Sequence, residues 1–266
     1  MEGLDYALNY LINEDSTFGK PAIPDSIDEK EKLWRAYCNV REAKPIGDDY
    51  IKAQDKYLQE RLKRIDVTDV TTIENVKEKY KCTLDNADKI CLWRGDITAL
   101  KADVIVNAAN SRGLGCFQAL HYCIDNQIQT FSGVQMRLEC NEYMKTIDYN
   151  LPTGDVFITK GYNLPSKYVI HTVGPIIQLT VTEREKLQLK NCYINSLKLA
   201  VEKGLKTIVF PCISTGVFRF PKEDAATIAI NAVNEFLDNN ESIDRVVFNV
   251  YGEEDLNIYE RLFRNS

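Results

Sequence analysis

From residue 89 onward the chain alternates short β-branched runs with longer amphipathic segments, and this rhythm limits the fold more than any other feature. KICLWRG, DVIVNAA, DVFITKG, KYVIHTV, TIVFPCI and RVVFNV read as strands. Among them lie a helical stretch within 125–145, the segment EREKLQLKNCYINSLKLAVEKG with Gly204 at its end, PKEDAATIAINAVNEFLD opened by Pro221, and EEDLNIYERLF. Strands separated by helices of this length imply an α/β domain whose largely parallel sheet is covered on both faces. In such sheets ligands bind beyond the carboxyl ends of the strands, so the loops after the strands are where chemistry is expected.

The first 84 residues have a different texture. EKEKLWRAYCNVREAKP and DDYIKAQDKYLQERLKR carry apolar residues at helical spacing among many charges, punctuated by Pro21, Pro24 and Pro45. They predict a small N-terminal extension of two or three helices over 1–84, followed by one domain over 85–266. The net charge of -6 argues against a duplex DNA or long RNA partner, which needs a basic footprint. A small phosphorylated ligand stays open, because backbone N–H groups hold phosphates without Lys or Arg. No apolar stretch approaches the roughly 20 residues of a membrane span, and the acidic start MEGLDYALNYLINEDS does not read as a signal peptide. A cytoplasmic location is the expectation, and there the eight cysteines read as thiols.

Three segments fall at strand ends. WRGDITAL places Asp96 after a glycine, where it accepts bonds from an adenine amino group or simply caps a turn. VIVNAAN ends in Asn107 and Asn110, each suited to sugar hydroxyls or to tying down a tight loop. FPCISTGVFRFPKE runs from a strand through Ser214, Thr215, Gly216 and Val217 to a helix start, a layout that binds anions. No Lys follows the glycine, so triphosphate hydrolysis is not indicated. Phe218 and Phe220 suit stacking or packing.

A fourth stretch, GLGCFQALHYCID, crowds Cys116, His121 and Cys123 between two glycines and Asp125. On residue types alone it permits a metal site, a nucleophile with its base, or three small core residues. In a regular helix positions 116 and 123 share a face and 121 points away, so a metal requires a wrapping loop. Two thiolates and an imidazole would leave a tetrahedral ion with one open position. Asp125 suits acid-base work and, beside a cation, should stay a carboxylate; its other reading is a helix N-cap. Gly113 is an added flexible residue that would loosen the loop, and His171, in YVIHTVGP, reads as a packed strand histidine.

Together GDIT, NAAN, ISTG and YNLPSKYVIHTVGP resemble the macrodomain family, modules that bind ADP-ribose, over residues 89 to about 250. The C-x4-H-x-C pattern and the N-terminal LWRAYCNVREAKP are similar to the zinc-containing microbial macrodomains, which extends the resemblance over nearly the whole chain. It implies a three-layer α/β/α fold with a mixed, largely parallel sheet after the helical extension. The implied activity is zinc-dependent removal of ADP-ribose from mono-ADP-ribosylated protein side chains. In that reading Asp96 and Ile97 hold adenine, and Ser214, Thr215, Gly216, Val217 and Phe218 bind the diphosphate. Asn110, Asp125 and the backbone at Ile124 contact the distal ribose, with Asp125 and Asn110 catalytic. Zn2+ sits on Cys116, His121 and Cys123. The resemblance also associates the subgroup with a lipoyl-carrier protein like the glycine-cleavage H protein and a partner sirtuin. One departure stands out: Gln129 occupies the position four after Asp125, where MacroD-type hydrolases often have His. The rival reading is a non-catalytic reader of ADP-ribose in which zinc only shapes the loop. Removal of a terminal phosphate from ADP-ribose phosphate fits the same pocket.

Overall fold

The computed structural model describes residues 2–15 and 18–266; Met1, Ser16 and Thr17 of the expected extension lie outside the described residues. The N-terminal part supplies three helices, α1 (Glu2–Glu14), α2 (Ile27–Val40) and α3 (Asp48–Leu62). Leu4, Leu8 and Leu11 recur at helical spacing on the buried side of α1. Helix α2 starts where Ser26 accepts from the Glu29 N–H, and its first turn is acidic, which suits the positive end of the dipole. After its last turn, Arg41 makes a bidentate pair with Glu14 of α1 at 2.7 and 3.0 Å and donates to the carbonyls of Lys44 and Pro45. This fork locks the end of α2 in place.

A two-residue strand β1 (Thr68–Asp69) and a short helix α4 (Val76–Tyr80) lead into β2 (Ile90–Arg94). The pair of β1 with β3 (Leu100–Lys101), too short to show in the sequence pattern, is parallel. Next come β4 (Val104–Ala109), α5 (Ile124–Ser132), α6 (Val134–Lys145), β5 (Val156–Lys160), β6 (Tyr168–Val173) and α7 (Glu183–Glu202). The chain ends with β7 (Thr207–Phe210), α8 (Lys222–Asp238), β8 (Arg245–Val250) and α9 (Glu253–Arg264). The helical stretch expected within 125–145 is two helices, because Gly133 at φ +100° breaks it.

Six strands form one sheet in the order β2-β8-β7-β4-β6-β5, parallel throughout except for β5, which runs against β6. Strand residues alternate between the faces. Val104 and Val106 of β4 join the core beneath α7, α8 and α9, whereas Ile105 joins a second core shared by α5, α6 and the three N-terminal helices. The result is a three-layer α/β/α structure with a mixed, mostly parallel sheet. The chain leaves β4 on its way to β5 and β6 and leaves β7 towards β8. Their carboxyl ends therefore diverge and open a crevice. Among the described residues, no helix is long and apolar enough to cross a membrane.

Candidate functional site

A cavity of about 440 Å³ occupies that crevice. One wall is Asn110, Cys116, His121, Cys123, Ile124 and Asp125; the other is the Ser214–Phe218 loop. The sequence-predicted residues thus meet, with two exceptions, Asp96 and Ile97. Asp96 spends its Oδ1 on the Thr98 N–H at 2.9 Å and the Thr98 hydroxyl at 2.8 Å, and Ile97 is buried. Neither lines the cavity; Asp96 caps the turn with Oδ1, and its Oδ2 lies 3.9 Å from the Arg61 guanidinium.

Asp125 sits in the first turn of α5, 3% exposed. Its Oδ1 accepts from Asn107 Nδ2 at 2.8 Å and its Oδ2 from Asn110 Nδ2 at 3.2 Å. Burial pushes the carboxyl up to about 6, while Asn107, the Arg137 guanidinium and Asn110 pull the other way. The N-cap reading of Asp125 is corrected: Cys123 is the N-cap, its Sγ accepting from the Asn126 N–H at 3.4 Å. The reason is rotational: Asp125 lies inside the helix, where its carboxylate faces the two asparagines rather than the helix end.

The network continues inward. Asn107 Nδ2 also donates to His171 Nδ1 at 3.1 Å, and the far ring nitrogen of His171 meets the Thr159 hydroxyl at 2.9 Å. An acceptor role for Nδ1 leaves the proton on Nε2. Burial drives His171 down to about 3, so the ring is neutral and its stack on Phe157 is undisturbed. The packed strand histidine expected from sequence is also the back support of Asn107.

Asn110 ties down its loop with both ends of its amide. Besides Asp125, its Nδ2 reaches the Gly115 carbonyl at 3.0 Å, and its Oδ1 accepts from the Arg112 N–H at 3.0 Å. The loop it ties down carries no regular structure from 110 to 123. Leu120 stands at φ +57°, a left-handed conformation that costs a branched side chain about 1–2 kcal/mol. The expectation that Gly113 loosens the loop is reversed: at φ +64° a Cβ there would lie 2.5 Å from Met144 Sδ, so this glycine is a close contact point against α6.

Cys116 Sγ lies 3.5 Å from His121 Nδ1, and the ligand atoms of Cys116, His121 and Cys123 all fall within 4.8 Å of one another. A tetrahedral ion with Zn–S near 2.3 Å and Zn–N near 2.0 Å sets its donors roughly 3.5–3.8 Å apart, so the three fit one after small adjustment. They are the one such group among the described residues. Without a cation, burial pushes the Cys123 thiol up to about 12, with the Asn126 N–H opposing and Asp125 and Cys116 adding. A divalent ion reverses that balance and takes the thiolate.

The opposite wall is built from backbone. Ser214 and Arg219 take φ +67° and +61°, and the turn closes through Arg219 N–H to Gly216 O and Phe220 N–H to Ser214 O. Among the described residues, no hydrogen bond occupies the N–H groups of Thr215, Gly216, Val217 and Phe218. They are available to an anion. The Ser214 hydroxyl is buried without a partner, and a Cβ at Gly174 would sit 1.9 Å from it. Only glycine fits at 174 beside that hydroxyl. Phe218 lines the cavity while Phe220 is buried in the core.

Sequence reasoning missed three lining residues: Asn249, Tyr251 and Asp255. Asn249 lies near the end of the last strand and Tyr251 just beyond it, so the strand-end rule already used for the other loops would have found them. Tyr251 is 79% exposed at the cavity edge.

The Macro domain model matches residues 106–229. A Staphylococcus aureus (strain MRSA252) protein named Protein-ADP-ribose hydrolase is 44% identical over 264 residues, covering 99% of this chain and 96% of its own. The chain belongs to the macro domain family. Among solved macrodomains, one from Oceanobacillus iheyensis with ADP is 38% identical, with a TM-score of 0.59 over 65% of this chain and 88% of its own. A Trypanosoma brucei macrodomain in complex with ADP-ribose is 28% identical, with a TM-score of 0.65 over 86% and 94%. The macro domain here is preceded by three helices that share a core with one face of its sheet.

Proposed function

We propose that this macro domain protein is a zinc-dependent hydrolase that releases ADP-ribose from mono-ADP-ribosylated protein side chains. What carries the reading is one juxtaposition: Asp125 and Asn110 bonded to each other in a cavity wall, beside Cys116, His121 and Cys123, across from a loop of free N–H groups. The name of the Staphylococcus aureus relative, which matches this chain from end to end of the alignment, supports the same reaction class.

The unoccupied N–H groups of Thr215 to Phe218 suit a diphosphate, and Phe218 suits the adjoining ribose. Asn110 offers its amide to a ribose hydroxyl while keeping the Gly115 carbonyl. Asp125, held by Asn107 and Asn110, stays a carboxylate beside a bound cation and so suits orienting or deprotonating the attacking water. Cys116, His121 and Cys123 would hold the zinc, whose chemistry when bound is Lewis-acid polarisation at its open position. The substrate's remaining protein would lie over the exposed rim at Tyr122 and Val217.

The test is release of ADP-ribose from an automodified acceptor, with metal analysis, before and after a chelator. Zinc at one equivalent and chelator-sensitive release are expected. ADP-ribose binding with no release would instead identify a reader.

A further inference from the structure

We infer that Asn39, on the last turn of α2, is a positioning residue for the Cys116–Cys123 loop, so that the N-terminal helices form part of the site. The inference rests on the reading of that loop as a metal site. Asn39 is 1% exposed and both ends of its amide are used. Its Oδ1 accepts from the Leu120 N–H at 2.9 Å, one residue before His121, and its Nδ2 donates to Thr130 Oγ1 at 2.8 Å on α5, the helix that carries Asp125. A single side chain, 81 residues away in sequence from Leu120, therefore anchors the loop to α2 while also touching the helix that carries the acid.

The loop needs such an outside reference. Its own ties are made by Asn126, whose Nδ2 donates to Gln118 O at 3.0 Å and lies 3.5 Å from Cys116 O, and these hold the loop to α5 alone. Leu120 adopts its left-handed conformation where Asn39 meets its N–H. Two further contacts link the loop to α2, one directly and one through Arg137 of α6. The Arg35 guanidinium lies 5.6 Å from the Tyr122 ring, and Arg137 stacks 4.6 Å over Phe117 while donating to the carbonyls of Cys38 and Arg41. Those carbonyls end α2, and Arg137 satisfies them as it supports the loop. The Arg41–Glu14 fork then holds the end of α2 against α1, so Asn39 has a fixed frame. Second partners that orient metal ligands typically govern affinity by about 10–100-fold.

Two measurements on the full chain decide this: amide exchange at Leu120 in the metal-free protein, and zinc affinity by competition with a chelator. Asn39→Ala is expected to speed Leu120 exchange by about tenfold, the worth of one net hydrogen bond, and to lower zinc affinity by about 10–100-fold. Thr130→Val, which cuts only the tie to α5, should leave both close to the unmodified protein. Asn39→Asp keeps an acceptor for the Leu120 N–H and should recover most of the zinc affinity. ADP-ribose affinity, read in parallel, should change little in any of them. The inference is overturned if Leu120 exchange is unchanged in folded Asn39→Ala, or if Thr130→Val weakens zinc as much. Asn39→Ser replaces the alanine variant if that one does not fold and is held to the same outcomes. Should the unmodified protein take up no zinc, the proposed metal site fails, and the exchange measurement alone decides whether Asn39 sets the loop.

Discussion

The two loops that face each other across the cavity are held by different means. The Cys116–Cys123 loop presents side chains, and side chains hold it: Asn110 and Asn126 from its two flanks, Asn39 and Arg137 from other helices. The Ser214–Phe220 loop presents backbone N–H groups and closes largely on itself, through bonds between Gly216 and Arg219 and between Ser214 and Phe220. A loop whose function is carried by its backbone can be specified locally, by small residues and tolerated left-handed positions. One whose function lies in converging side chains depends on what packs behind it. The two walls should therefore fail separately.

The largest effect should come from the side-chain wall. Cys116→Ala is expected to lower turnover of a modified protein by about a hundredfold or more, since a metal ion contributes several kcal/mol to such chemistry. Zinc content should fall with it and ADP-ribose binding should persist. A variant that binds no zinc yet turns over normally would break the proposed division. Asp125→Asn should cost about 10²-fold in turnover, at the low end of what a positioned acid or base contributes. Isothermal titration with ADP-ribose and steady-state release assays would separate that loss from a loss of binding.

The backbone wall is probed by Gly174→Ala. The added methyl collides with the Ser214 hydroxyl and must shift the loop, at a cost of about 1–3 kcal/mol. ADP-ribose affinity should weaken about tenfold or more, while zinc content stays at one equivalent. Loss of zinc in this variant would show the walls to be coupled.

The smallest effect concerns the buried network under the first wall. His171 has a folded pKa of about 3 against 6.5 when unfolded. Between those values the unfolded chain binds more protons, so stability falls as pH falls through this window, by at most about 1.4 kcal/mol per pH unit. Asp125, raised from 3.8 to about 6, acts in the opposite sense over that interval, its contribution being lost as pH rises. Urea denaturation of the metal-free protein from pH 7 to 4.5 should show a steeper acid loss than His171→Gln. Parallel profiles would mean that His171 is not the proton acceptor on unfolding.

The same contrast explains what was legible beforehand. The six strands announced themselves as β-branched runs, and the ISTG loop followed from a strand, small residues and a helix start. The three metal-type residues stood within eight positions, so their proximity in space needed no long-range information. Asn107 and Asn110 were visible as residues, but their shared bond to Asp125 was not, because the loop between them had no readable path. His171 read as packing alone, since its partner Asn107 lies 64 residues away on the neighbouring strand. Gly113 was misread because Met144, which meets it, belongs to α6, outside the loop.

By itself, then, the sequence determined the elements, the strand-end loops and the chemical types they carry, all of which depend on spacing within a few residues. Tertiary structure decided that Cys123 rather than Asp125 caps α5, that Asn107 and Asn110 converge on Asp125, and that α2 reaches the Cys/His loop through Asn39. Those outcomes depend on burial and on partners brought from tens of residues away, and local spacing carries no record of either.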